Sequence, residues 1–514
     1  MDQSLPMQNR LSGLEGMTAA PPAPPATLVI FGAAGDLTKR LLMPSLYNLQ
    51  LAELLDNSFE VIGVDHNEST DDKYREVLTT AMEGFIGKKG AEFDADKLKP
   101  DAWGWVRDRL HYQTGDFEDP ATFKALSDRI KGSCVFYLAV SARFFGPVIT
   151  NLCDAGLMQQ GDGVFRRVVV EKPFGHDLPS AQALNKLILD RMDETQVFRI
   201  DHFLGKETVQ NVMALRFGNG IFEPLWNRHY IDHVEITAAE TVGVEERARF
   251  YEPTGAMRDM VPNHMFQLLA ITAMEPPNRF DADAVRAEKA KVIQAIKPFD
   301  EMRAARDVVR GQYAAGSVGG DAVPGYRSER DVAPTSMTET YVALRLKIDN
   351  FRWAGVPFYI RTGKRMATRR TEIAIHFKQA PYAMFRDTPV DHLTPNVMVL
   401  HIQPSEGITL NLSAKRPGPK LVLGGVAMDF RYSDYFHAPS STGYETLLYD
   451  VMMGDATLFQ RADMVEAGWA VVQPILDMWA SGQAGVSPYA AGSHGPAPAD
   501  RLLDRDGRHW LKLP

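Results

Sequence analysis

The chain has 514 residues, 45% apolar and 24% charged, the balance of an ordinary globular protein with room for two or three cores at roughly 100–200 residues each. Its formal charge of −9 counts against nucleic acid as a partner, because phosphate binding normally shows as a net basic domain. No stretch approaches the ~20 apolar residues of a membrane span, and Met1–Met17 hold no continuous apolar run, so no membrane and a cytoplasmic location are expected. Cys134 and Cys153 both sit in apolar stretches, which fits reduced thiols; neither a disulfide nor a metal site is expected.

Residues 1–25 read as a disordered lead-in that ends in the stiff Pro21-Pro22-Ala23-Pro24-Pro25, with folded structure starting at Ala26. Ala26–Gly32 is a short apolar run followed by turn residues, which predicts a buried parallel strand. Leu41, Leu42, Leu46, Leu49 and Leu54 give Thr38–Leu55 a helical period. A second strand at Glu60–Val64 and a helix at Asp71–Gly84 follow, then strands at Val135–Val140 and Arg167–Val170 flanking a helix at Phe144–Leu157. This alternation predicts an α/β domain on a mostly parallel sheet, over residues 26–200.

From 201 to 514 the pattern changes. Period-two alternation appears at His233–Ala238, Tyr341–Ile348, Glu372–Lys378, Val397–Gln403 and Ile408–Ala414, with helical patterns at Asp281–Ile296 and Tyr444–Phe459. That mixture predicts an α+β domain on a mainly antiparallel sheet covered by helices on one face. The Gly-, Ala-, Ser- and Pro-rich stretch Ser481–Pro498 reads as an irregular surface connection.

Gly32-Ala33-Ala34-Gly35-Asp36-Leu37 directly follows the first strand and opens the first helix. Glycine there lets the backbone approach a pyrophosphate, and the helix N-terminus offers free N–H groups to it. The spacing is G-x-x-G, a weak motif alone that tight packing also explains; its place in the first βα unit favours a Rossmann-like dinucleotide site. The second strand ends in Asp65-His66, where an acidic side chain accepts hydrogen bonds from ribose hydroxyls and repels the extra phosphate of NADP. Asp65 therefore points to NAD or dual use, unless it only begins the next loop.

Three compact motifs concentrate charge beside apolar residues: Glu171–Gly175, Arg199–Glu207 and Arg258–Gln267. Oxidising an alcohol needs a base for the hydroxyl proton, and a histidine oriented by a carboxylate suits the task. His202 and His264 with Asp201 and Asp259 offer that pairing, and the spacing leaves open which histidine is the base. Lys206, His202 and Lys364 are candidates to hold a sugar phosphate.

These residues carry a resemblance. From Ala26 onward the chain resembles the glucose-6-phosphate dehydrogenase family, most specifically in Arg199–Glu207, which is similar to the family signature R-I-D-H-Y-L-G-K-E. The G-x-x-G-D-L turn, Glu171–Gly175, Arg258–Gln267 and Arg361–Arg365 support it. The resemblance implies a dinucleotide-binding domain joined to a large α+β domain through which chains dimerise or tetramerise, NADP as cofactor, glucose 6-phosphate as substrate and 6-phosphogluconolactone as product. It also implies that His264 accepts the proton and Asp201 orients it, that His202 and Lys206 hold the phosphate, and that Glu240 and Asp259 bond the sugar hydroxyls. Lys364 and Arg369 would hold the substrate from the second domain, Lys172 would reach both substrate and cofactor beside a cis Pro173, and Asp116 would lie near the cofactor.

Three departures stand out. Phe203 replaces the usual Tyr, which predicts a somewhat weaker hold on phosphate. Thr38 replaces a usual Ala. Asp65-His66 stands where NADP-using members carry an Arg, which predicts unusually strong use of NAD. The alternatives are another NAD(P)-dependent aldose oxidoreductase and a non-catalytic sugar-phosphate sensor.

Overall fold

A computed structural model describes residues 20–513 except 88–92, 94–96, 162, 387, 389, 391–392, 437–441 and 483. The expected lead-in therefore lies outside the described residues up to 19. Its remainder is not loose: Ala23 is buried, its N–H bonds the Leu54 carbonyl at 2.8 Å, and the Tyr449 hydroxyl donates to the Pro21 carbonyl at 2.7 Å. Packing thus begins by Pro21, ahead of the expected start at Ala26, because small and ring-closed residues lose little entropy when fixed.

Six strands, β1 (Thr27–Phe31), β2 (Glu60–Asp65), β3 (Leu110–Thr114), β4 (Cys134–Leu138), β5 (Arg166–Val170) and β6 (Val197–Arg199), form one sheet in the order β3-β2-β1-β4-β5-β6. Every pairing in it is parallel. This is the doubly wound dinucleotide-binding order. Runs such as Leu28–Phe31 and Cys134–Leu138 are wholly buried, as expected where helices cover both faces. Helix Asp71–Glu83 starts where the Thr70 hydroxyl accepts the Lys73 N–H, and helix Leu178–Leu189 where Asp177 and Ser180 cap each other.

The second sheet has nine strands: β7 (Ile231–Ala239), β8 (Val308–Ala314), β11 (Tyr341–Lys347), β12 (Pro357–Gly363), β13 (Arg370–Phe377), β14 (Val397–Gln403), β15 (Gly407–Lys415), β16 (Leu423–Arg431) and β17 (Ser487–Ala490); β9 (Gly316–Val318) and β10 (Asp321–Val323) make a separate hairpin. Its order is β16-β15-β14-β13-β7-β12-β11-β8-β17, antiparallel except at β7/β12 and β8/β17. The fold is therefore a Rossmann-like domain joined to an α+β domain with a mainly antiparallel sheet.

Alternation along β7 separates two faces. Val234, Ile236 and Ala238 join the large core under the helices, including Phe266–Ala273, Ala282–Gln294 and Ala462–Ala480. Their opposite neighbours His233, Glu235 and Thr237 face the other way and are covered by the C-terminal segment, whose Leu511 N–H bonds the Glu235 carboxylate. Two expectations need correction. Ser481–Pro498 is not wholly irregular, because β17 adds to the sheet and buries Tyr489, whose hydroxyl bonds the Lys364 carbonyl at 2.7 Å. The helix expected over Tyr444–Phe459 stops at Met453, and the following turn brings Phe459 edge-on to Phe198 at 4.8 Å.

Candidate active site

The predicted functional residues gather at the carboxyl ends of strands, where ligands bind in open α/β sheets. At the end of β1, Gly32 has φ +89°, and a β-carbon there would collide with the Ala139 carbonyl beyond β4. Only glycine meets both demands. The Gly35 N–H closes the turn on the Gly32 carbonyl at 3.0 Å, and the Thr38 hydroxyl donates to the same carbonyl at 3.0 Å, giving the unusual Thr38 a structural use. Asp36 points to solvent and pairs with Arg40, while Leu37 packs against the core.

Asp65 ends β2 with its carboxylate turned into this loop. Its oxygens accept the Ala34 N–H at 3.0 Å and the His66 N–H at 2.9 Å, and the His66 ring, itself exposed, lies 2.8 Å from it. The Asp65 carbonyl accepts the Gly115 N–H at 2.9 Å, which brings Asp116, exposed and accepting the Glu118 N–H, to the same edge. The glycine turn and Asp65 thus form one unit that fits a dinucleotide: a close-approach cradle with a carboxylate beside it.

Beyond β5 and β6 lie Lys172 and Asp201. His264 comes from a different element, the π-helical turn Val261–Met265, between helices Gly255–Met260 and Phe266–Ala273. Pro262 has no N–H to give to the turn before it, and the backbone widens there. The His264 ring is 1% exposed; its Nδ1 lies 2.6 Å from Asp201 Oδ1 and its Nε2 lies 2.8 Å from Lys172 Nζ. An ammonium can only donate, so Nε2 accepts and the Nδ1–H donates to Asp201. That tautomer leaves the Nε2 lone pair ready for a proton. Burial holds the ring below the usual histidine range, with Asp201 opposing and Lys172 reinforcing the effect. Burial would raise the Asp201 carboxyl, but His264, His202 and the Phe203 N–H outweigh it and keep it ionised, well below its usual range.

The surrounding charges also converge. Lys172 Nζ bonds Asp259 Oδ1 at 3.1 Å, and Lys364 Nζ bonds Glu240 Oε2 at 2.7 Å. Burial would raise Asp259, but Lys172, Lys364 and Arg247 hold it well below the usual carboxylate range. Glu240 and Lys364 meet because β7 and β12 run parallel and end together, Ala239 opposite Gly363. Arg369, exposed, directly precedes Arg370, which pairs with Ala239 at the end of β7. His202 meets the His264 ring edge-on at 4.7 Å; burial, then His264 and Lys172, push it well below its usual pKa. Lys206 Nζ donates to Gln403 Oε1 and lies 4.9 Å from the Phe203 ring. Phe203 stacks flat on His264, centroids 4.2 Å apart. In the same segment a side chain at Gly205 would collide with the Gly443 carbonyl, so glycine permits the docking of this loop. Lys172-Pro173 is cis.

One member of the signature lies elsewhere. Arg199 is 2% exposed and bonds Glu194 at 2.6 Å and Asn185 at 3.1 Å, a structural anchor. Two buried residues at the site were given no role by the sequence reading. Glu171, raised by burial, accepts the Tyr137 and Tyr444 hydroxyls at 2.6 and 3.2 Å. Lys289 is 1% exposed, and burial pushes it down to about 7 against the pull of Asp201. Lysine within an otherwise charged helical repeat reads as solvated; only a position on the buried face of that helix distinguishes it.

Residues 29–211 match the family model described as glucose-6-phosphate dehydrogenase, NAD binding domain, and residues 213–511 the corresponding C-terminal domain. A glucose-6-phosphate 1-dehydrogenase of Aggregatibacter actinomycetemcomitans is 44% identical over 494 residues, covering 94% of this chain and 97% of its own. That of Bacillus subtilis (strain 168) is 41% identical over 501 residues, covering 95% and 99%. A solved structure described as glucose-6-phosphate dehydrogenase in complex with its substrate glucose-6-phosphate superposes with a TM-score of 0.85 at 31% identity, covering 96% of this chain and all of the other. The Mycobacterium avium enzyme gives 0.81 at 36% identity, covering 96% and 99%. The chain belongs to the glucose-6-phosphate dehydrogenase family.

Proposed function

We propose that the chain oxidises glucose 6-phosphate at C1 to 6-phosphogluconolactone, the first oxidative step of the pentose phosphate pathway, with a nicotinamide dinucleotide as oxidant. The single observation that carries the mechanism is the His264 ring, bonded through Nδ1 to Asp201 with Nε2 left as acceptor. The C1 hydroxyl takes the place of Lys172 Nζ at Nε2 and gives up its proton there. The imidazolium that forms is stabilised by Asp201, which also fixes the tautomer. A dinucleotide held at the glycine turn and Asp65 would supply the acceptor for the C1 hydride.

Gly32, Gly35, Asp36, Leu37, Asp65, His66, Asp116 and Lys172 are assigned to the cofactor. His202 and Lys206 take the phosphate: the neutral His202 donates a hydrogen bond, and the charge comes from Lys206. Glu240 and Asp259 bond the sugar hydroxyls, with Lys364 and Arg369 beside them. The buried Asp65 carboxylate next to the glycine turn supports strong use of NAD alongside NADP. Replacing Asp65 by Ala and His66 by Arg moves the ratio of kcat/KM toward NADP; an unchanged ratio rejects this placement of the ribose. We infer a cytoplasmic homodimer or homotetramer, supported by the exposed Val426 and Met428 on the edge strand β16, and a division of the chain near residues 200 and 201.

Comparing turnover of glucose with that of glucose 6-phosphate tests the whole reading. Preference for the phosphorylated sugar is expected. Turnover of free glucose alone overturns it in favour of another aldose oxidoreductase, and absence of turnover with either in favour of a sensor.

A further inference from the structure

On the face of the nine-stranded sheet turned away from the large core, three side chains converge. His233 and Glu235 are two apart on β7 and so share a face, and His376 on β13 is the direct cross-strand partner of His233. The ligand atoms His233 Nε2, Glu235 Oε1 and His376 Nε2 all lie within 4.8 Å of one another. The carboxylate oxygen is 2.8 Å from His376 Nε2 and 3.4 Å from His233 Nε2. Yet neither contact has hydrogen-bond geometry, and all three atoms are buried without a hydrogen-bond partner among the described residues. A buried polar atom left unmet has given up its hydration for nothing in return, so three converging ones call for a ligand.

The other ends of these side chains are fixed. His233 Nδ1 is held by Asp232 Oδ2 at 2.7 Å, and Asp232 in turn accepts both arms of Arg508 at 2.7 and 2.9 Å. Glu235 Oε2 accepts the Leu511 N–H at 2.9 Å. A carboxylate on the far nitrogen of a histidine is the support that metal-bound imidazoles carry. We propose that His233, Glu235 and His376 bind a divalent transition metal, best matched by zinc, whose two-histidine, one-carboxylate sites keep a further position for water. Zinc bonds of ~2.0–2.1 Å in tetrahedral geometry set ligand atoms about 3.3 Å apart, between the two separations to the carboxylate oxygen. The two rings stack at 4.0 Å, and binding splays their Nε2 ends around the ion. His376, its side chain 14% exposed against 7% for His233 and 2% for Glu235, is the side from which water and the ion enter.

The ion clips β7 to β13, the strands that lead to Glu240 and start beside Arg369, while Asp232 and Glu235 bind it indirectly to the C-terminal segment. Its role is structural.

The full-length protein, stripped with a chelator and dialysed, is titrated with zinc alone by calorimetry and metal analysis. One zinc per chain is expected, with binding weakened at least ~10–100-fold in His376→Gln and retained in His264→Asn, since Asp201, His202 and His264 form the other cluster able to take a cation among the described residues. His376→Gln keeps the unfolding midpoint of the stripped wild type and its basal turnover. Cobalt(II) supplies a second readout: visible bands of a four-coordinate ion in wild type and none in His376→Gln. No zinc uptake, equal uptake by wild type and His376→Gln, or loss only in His264→Asn overturns the site and leaves the cluster as a metal-free histidine–carboxylate contact.

Discussion

Two clusters in this molecule have the same composition, two histidines and a carboxylate, and are built for different ends. In Asp201–His202–His264 the carboxylate takes the Nδ1 of one histidine and leaves its Nε2 facing a lysine ammonium. In His233–Glu235–His376 the carboxylate that steadies Nδ1 comes from outside the trio, Asp232, and both Nε2 atoms turn toward Glu235. Which nitrogen is engaged decides the chemistry: an imidazole steadied at one end and open at the other is a base, and two that converge on a carboxylate are ligands. Charge surroundings differ in the same sense. Lys172 adds to the burial that holds His264 neutral, whereas Asp232 and Glu235 outweigh burial and raise His233.

The sharpest break between the two is His264→Asn, expected to cut kcat by ~10²–10⁴ while zinc uptake stays unchanged. A loss under tenfold puts the base elsewhere. His376→Gln is the mirror experiment, abolishing tight zinc binding and leaving kcat within about twofold, because His376 is not among the groups proposed to move or hold the proton. The pH profile gives a smaller effect. A base whose pKa is lowered stays unprotonated further into acid, so the acid limb of kcat/KM should fall below the ordinary histidine midpoint of ~6.5; a limb above it would mean that His264 is not the titrating group. The smallest shift tests Lys289. Its removal as Lys289→Met takes a positive charge from behind Asp201, makes that carboxylate a better partner for imidazolium, and moves the acid limb upward by a fraction of a unit. A downward move would show that Lys289 does not act through Asp201.

The strands of the parallel sheet were legible because burial on both faces demands unbroken apolar runs, and so were helices Asp71–Glu83 and Ala282–Gln294, which the structure caps with Thr70 and Asp281. Helix Ala462–Ala480 was not legible: Pro474 sits inside it, and a proline ordinarily ends a helical pattern. β17 escaped because its four residues hold only one buried ring. Among site residues, Asp201, His202 and Lys206 stood out as one block, yet nothing in that block tells which histidine is the base.

The local chemistry, a glycine turn after a strand, a charged block and a lysine before a proline, is written in neighbouring residues, so the sequence by itself determined the fold class and the set of side chains available to the reaction. Partnership was decided only in three dimensions. Asp201 and His264 are 63 positions apart, and His233 and His376 meet only through the pairing of β7 with β13. Hydrogen bonds act over about 3 Å and carry no memory of separation along the chain, so packing alone chose which nitrogen each carboxylate would reach.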